Sequence, residues 1–158
     1  MDEQRQLILN QFTRQALQFS EMHARDDAEI YELIIRSARI TALDNVLDVA
    51  CGPGLVACEV AKVAMTVTGI DLTPEMIRQA RDRQQSLGLQ NLTWIQGDAQ
   101  PLPFADNQFS RVITRYSFHH FTKPQAAFAE MVRVCQPGGR ITVCDVFTTS
   151  PEQAELYD

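Results

Sequence analysis

No stretch of this sequence stays apolar long enough to cross a bilayer, which leaves membrane insertion without a segment to carry it. Basic charge is also in deficit. Fourteen Lys and Arg face twenty Asp and Glu, a formal net charge of −6, so nucleic acid and acidic membrane surfaces have no electrostatic claim as partners. Met1-Asp2-Glu3-Gln4-Arg5 lacks the opening of a signal peptide, and a cytoplasmic protein is expected. Four cysteines (Cys51, Cys58, Cys135, Cys144) make neither a C-x-x-C nor a zinc spacing. Each reads instead as a small buried hydrophobe in a reducing compartment, and no metal is expected. Repeats and low-complexity tracts are absent. What remains is 158 residues with 45% hydrophobic content, ordinary for one soluble domain with a real core.

The organising stretch is Asn45 to Ala57, NVLDVACGPGLVA. Val46-Leu47 and Val49 make a short buried strand, Gly52-Pro53-Gly54 a turn, and Leu55 to about Val63 a helix. Strand, glycine turn and helix is a geometry that presents backbone N–H groups at a helix N-terminus to a polar, nucleotide-like ligand. Gly52 to Ala57 satisfies the G-x-G-x-x-A of dinucleotide-binding folds. Asp48, inside the strand, suits a cationic ligand better than a pyrophosphate.

Upstream, Leu7, Ile8, Phe12, Ala16 and Phe19 carry helical spacing, as do Ile30, Leu33 and Ile34, with a polar loop around His23 between them. Downstream, strands are predicted at Met65–Asp71, Asn91–Gln96, Arg111–Thr114 and Arg140–Phe147. Thr73 and Pro74 start a helix that runs to a Gly88 C-cap. A further helix from about Gln125 to Cys135 is expected to bury Ala126, Phe128, Met131 and Val132, and Gln136 to Gly139 turns into the last strand. Strands alternating with helices imply an α/β, Rossmann-like, doubly wound parallel sheet of about five strands with helices on both faces. One domain is expected: a helical cap over 1–36, a cofactor-binding core over 37–148, and the start of a C-terminal part over 149–158. Asp71 and Asp98 each close a strand, at the end where ligands of open α/β sheets collect.

Taken together, Asp48, Ala50-Cys51-Gly52-Pro53-Gly54, Asp71, Gly97-Asp98-Ala99, Leu102-Pro103-Phe104, the His119-His120 pair and Pro137-Gly138-Gly139 resemble the class I S-adenosylmethionine-dependent methyltransferases of the ubiquinone/menaquinone-biosynthesis type. Ala50 stands where the family has a first glycine, and Ser110 where it usually has an acid. The resemblance implies S-adenosylmethionine as cofactor. It places Asp48, Ala50, Cys51, Gly52 and Gly54 at the glycine turn and Asp71 on the ribose hydroxyls, with Leu72 and Met76 beside it. Asp98 and Ala99 would meet the adenine, and Arg115 the methionine end. The family's C-terminal antiparallel hairpin has no counterpart after the fifth strand. That strand would expose an apolar edge at Val143, as in a piece of a longer chain or an edge covered by a second copy.

Methyl transfer from a sulfonium needs no acid for the leaving group. A base is needed only where the acceptor must lose a proton, and His119 or His120 is the candidate for that role. The motifs of adenine-N6 and cytosine-C5 methyltransferases are missing, which points to a small-molecule acceptor. Two other readings stay open: a nicotinamide-dependent oxidoreductase, resting on Gly52 to Ala57 and Asp71, and a non-catalytic binding or scaffold protein with this fold.

Overall fold

Val46, Leu47 and Val49 are wholly buried because the strand they form is the middle one of a sheet covered on both faces. In the computed structural model, residues 28–146 are described. They run α1 (Ala28–Ala38), β1 (Asn45–Val49), α2 (Leu55–Ala61), β2 (Thr66–Asp71), α3 (Pro74–Ser86), β3 (Leu92–Gln96), β4 (Phe109–Arg115), α4 (Pro124–Val134) and β5 (Cys135–Cys144). A single 3₁₀ turn, Phe118–His120, lies between β4 and α4. All pairings are parallel, in the order β3-β2-β1-β4-β5. The chain winds outward from β1 to β3, then returns to lay β4 against the other side of β1. That reversal opens a crevice at the carboxyl ends of β1 and β4.

Alternation along the strands divides the core. Val46, Val67 and Ile113 pack with Ile34 of α1, Val56 and Val60 of α2 and Ile77 of α3. Leu47, Val49, Ile70 and Val112 face the other way, onto Met131 and Val134 of α4 and onto Leu102 and Phe109. The expected α/β sheet with helices on both faces is therefore present.

Some expectations shift. On α4 the buried stripe is Ala127, Met131 and Val134, whereas Ala126 is exposed, and Phe128 and Val132 are 43% and 50% exposed. That helix is apolar on nearly every side, so periodicity alone could not set its rotation. Leu33 of α1 is likewise exposed. Strand β4 takes in Phe109, Ser110 and Arg115 beyond the predicted ends. Strand β5 begins directly at Cys135, with Gln136 to Gly139 looped out where the register jumps from Phe109↔Cys135 to Arg111↔Arg140. It is an edge strand, and Val143 is 41% exposed. The helix expected through Leu7 to Phe19, the loop at His23, and Phe147 onward lie outside the described residues.

Gly54 answers to packing. It has φ +77°, and a Cβ there would stand 2.7 Å from the Trp94 ring and 3.0 Å from the Ala80 methyl. Trp94 has no room to retreat, because it is buried and its indole N–H donates to Gln84 Oε1 at 2.7 Å. Gly54→Ala should therefore cost about 2–4 kcal/mol, combining overpacking with a left-handed backbone. Urea unfolding tests this, and a midpoint equal to the parent's would refute it.

Candidate active site

Two residues at the crevice are held in the left-handed region without being glycine: Ala50 at φ 56° and Tyr116 at φ 51°. Such strain persists only where the surroundings enforce it, and it gathers at functional sites. Ala50 follows β1 and Tyr116 follows β4, so the two flank the switch point from either side. Behind them, Thr114 Oγ1 donates to the Val49 carbonyl at 2.8 Å and lies 2.6 Å from Ser117 Oγ, tying the two strand ends together.

Between them opens a cavity of about 160 Å³, roughly ten times the space one water needs. Asp48, Ala50, Cys51, Gly52, Asp71, Leu72, Met76, Asp98, Ala99, Arg115 and His120 line it. Of the residues singled out from sequence, only Gly54 and His119 do not. Gly54 lies behind the turn against Trp94, and His119 turns away to Asp145. Ser117, Phe121, Thr122 and Gln100 also belong to the wall, although their residue types carry no signal of their own.

The glycine turn does not offer its amides freely. The Gly52 N–H donates to Asp71 Oδ2 at 2.9 Å and the Gly54 N–H to the Cys51 carbonyl at 3.1 Å. The other Asp71 oxygen accepts the Thr73 N–H at 2.9 Å, at the start of α3. One carboxylate thus closes the turn and caps the next helix while facing the cavity. Burial raises its pKa, against these amide hydrogen bonds.

Asp48 is 1% exposed, with Oδ2 lacking any hydrogen-bond partner. Burial, then repulsion from Asp71, lifts its carboxyl to about 8, opposed by the Arg115 charge and a backbone hydrogen bond from Ala57. The Arg115 guanidinium lies over the Tyr116 ring at 4.1 Å and faces Tyr31 at 5.3 Å. A cation beside Asp48 would favour its ionised form and a pyrophosphate would oppose it, while the Gly52 and Gly54 amides are already occupied. A sulfonium and an ammonium are such cations. The donor set therefore fits S-adenosylmethionine, with Asp48 and Asp71 as the residues that would hold it.

The third acid sits on the loop after β3. Asp98 Oδ1 accepts the Gln100 N–H at 3.0 Å. The loop is clamped from outside by α4. Arg133 donates to the Leu102 carbonyl at 3.0 Å, the Phe104 carbonyl at 2.8 Å and Asp106 at 2.8 Å, while Glu130 accepts the Leu102 N–H at 2.8 Å. Neither α4 residue lines the cavity. Arg133→Ala is expected to free two carbonyls, loosen the wall carrying Asp98 and Ala99, and weaken cofactor binding about tenfold. Titration calorimetry reads the loss, and unchanged affinity would show that the wall holds its shape without the clamp.

The methyltransferase domain family matches residues 47–143, strand β1 through β5. The chain belongs to the class I S-adenosylmethionine-dependent methyltransferases. It is 31% identical to the uncharacterized methyltransferase YcgJ of Bacillus subtilis, over 92% of this chain and 56% of that protein. The crystal structure of YcgJ superposes with a TM-score of 0.74, covering 80% of this chain and 55% of that one, at 32% identity. The demethylmenaquinone methyltransferase of Tropheryma whipplei is 37% identical over 67% of this chain and 43% of its own length. An uncharacterized protein of Mycobacterium tuberculosis is 42% identical over 73% of this chain and 42% of its own. The methyltransferase chain thus spans about half the length of the curated relatives it matches. Among its described residues no helix is long and apolar enough to cross a membrane.

Proposed function

We propose that this chain transfers a methyl group from S-adenosylmethionine to a small-molecule acceptor in the cytoplasm. The observation that carries the reading is the buried Asp48 oxygen left without a partner beside the cavity, with Asp71 next to it. S-adenosylmethionine supplies, when bound, a methyl group on a sulfonium that leaves without an acid. The protein's part is then to hold and orient. Asp71 takes the ribose hydroxyls, and Asp98 with the Ala99 amide takes the adenine. Leu72 and Met76 give an apolar wall, while Asp48, Ala50, Cys51, Gly52 and Arg115 surround the methionine end. Holding acceptor and methyl in line is worth several kcal/mol of barrier on its own. An oxidoreductase reading is disfavoured by the occupied Gly52 and Gly54 amides, which leave a pyrophosphate without those donors.

Calorimetric titration with S-adenosylmethionine, S-adenosylhomocysteine and NAD tests this. Binding of the first two without the third is expected. Binding of NAD alone, or of none by a folded chain, would defeat the proposal.

A further inference from the structure

Strands β4 and β5 run parallel with Arg115 opposite Cys144, so the residues following each emerge side by side. The topology thereby brings His119 and His120, in the 3₁₀ turn after β4, against Asp145, just after β5. Asp145 Oδ1 lies 2.6 Å from His119 Nδ1, and its Oδ2 accepts the His119 backbone N–H at 3.1 Å. The Val146 N–H donates to Oδ1 at 2.8 Å, holding the carboxylate in place. A carboxylate can only accept, so Nδ1 of His119 carries the hydrogen. The His119 ring sits 3.9 Å from that of His120, tilted by 49°. Only His120 reaches the cavity wall, next to Ser117 and Phe121.

We propose that His120 is the proton acceptor of this cavity and that Asp145, acting through His119, is the residue that positions it. The inference rests on the methyltransferase reading of the site. It restricts the acceptor to molecules whose attacking hydroxyl must ionise. The O–H bond breaks, its electron pair stays on oxygen, and the proton moves to the unprotonated ring nitrogen of His120. Burial, then the adjacent His119, holds the His120 imidazole below its usual pKa, while Asp145 raises it. His119 and Asp145 bear on His120, and Asp48, Asp71, Asp98, Arg115 and Tyr116 line the same cavity. His120 is thus neutral, and able to take a proton, at neutral pH.

The chain has three histidines, so their ring resonances can be followed individually through a pH titration. In the chain saturated with S-adenosylhomocysteine, Asp145→Asn should lower the His120 titration, and His119→Gln should raise it. Asp145→Asn should also abolish the preference of His119 for hydrogen at Nδ1. Para-nitrophenol serves as the hydroxyl probe. The bound probe should turn yellow at a lower pH in the parent than in His120→Gln, because the nitrophenolate pairs with the His120 ring that has taken its proton. A His120 titration unmoved by both variants would overturn the positioning role. The same colour change at the same pH in parent and His120→Gln would overturn the base. Calorimetry on the same proteins before S-adenosylhomocysteine is added separates the levels: absent S-adenosylmethionine binding defeats the proposed function, whereas intact binding with either failure defeats this inference alone.

Discussion

Asp71→Ala is expected to weaken S-adenosylmethionine binding by at least about a hundredfold. Two ribose hydroxyls on one carboxylate make charge-assisted hydrogen bonds worth about 1.5–3 kcal/mol each, and each 1.4 kcal/mol is tenfold in affinity. The same substitution strips the acceptors from the Gly52 and Thr73 amides, so the turn that shapes the cavity loosens together with the start of α3. Asp71→Asn separates the two effects. One amide oxygen can replace only one of the two carboxylate oxygens, and the lost charge weakens what remains, so an intermediate affinity is expected. In both variants Asp48 is relieved of a neighbouring negative charge, and its carboxyl should titrate lower than in the parent. Calorimetry reads the affinity and thermal melting reads the turn. Affinity unchanged in Asp71→Ala would remove this residue from the site.

How far the sequence reached differs between the sheet and the site. Val46-Leu47 and the β-branched run ending at Asp71 announce buried parallel strands, because a strand covered on both faces is continuously apolar. Turn chemistry at Gly52 to Gly54, Thr73-Pro74 and Gly88 marks where helices begin and end, since those backbone shapes admit few residue types. The rotation of α4 was not legible. Ala126, Phe128 and Val132 are as apolar as the residues it buries, and the choice is made by Arg133 and Glu130 gripping a loop some thirty residues away. Within the site, the acids were legible because a charge at a strand end demands a reason. The use of Gly54 was not, because a glycine reads alike whether it admits a ligand or a neighbouring Trp94. Asp145 escaped notice for a related cause. Its partner His119 is 26 residues away, and only the parallel pairing of β4 with β5 joins them.

Cofactor affinity should rise with pH, by up to about tenfold per pH unit, and level off above about pH 8, where Asp48 is ionised before the cofactor arrives. A sulfonium or ammonium beside Asp48 favours the carboxylate, so binding below pH 8 must expel a proton, and Asp48→Asn should flatten the profile. Stability of the free protein moves the opposite way. The unfolded chain releases this proton near 3.8, whereas the folded chain keeps it until about 8. Asp48 therefore stabilises fully below pH 3.8, and that contribution drains away as pH rises through the window to 8. Asp71, also raised by burial, adds a loss of the same sign. Glu75 and Glu130, both lowered mainly by their arginine partners on exposed faces, act in the opposite direction at acid pH. The difference between parent and Asp48→Asn cancels those contributions. The variant, which retains an acceptor for the Ala57 amide, should melt progressively above the parent between pH 4 and 8 while binding the cofactor more weakly. Melting curves that stay parallel across that range would mean that Asp48 is ionised throughout. A stability gain paired with a binding loss would identify the buried acid as one retained for the ligand at the expense of the fold.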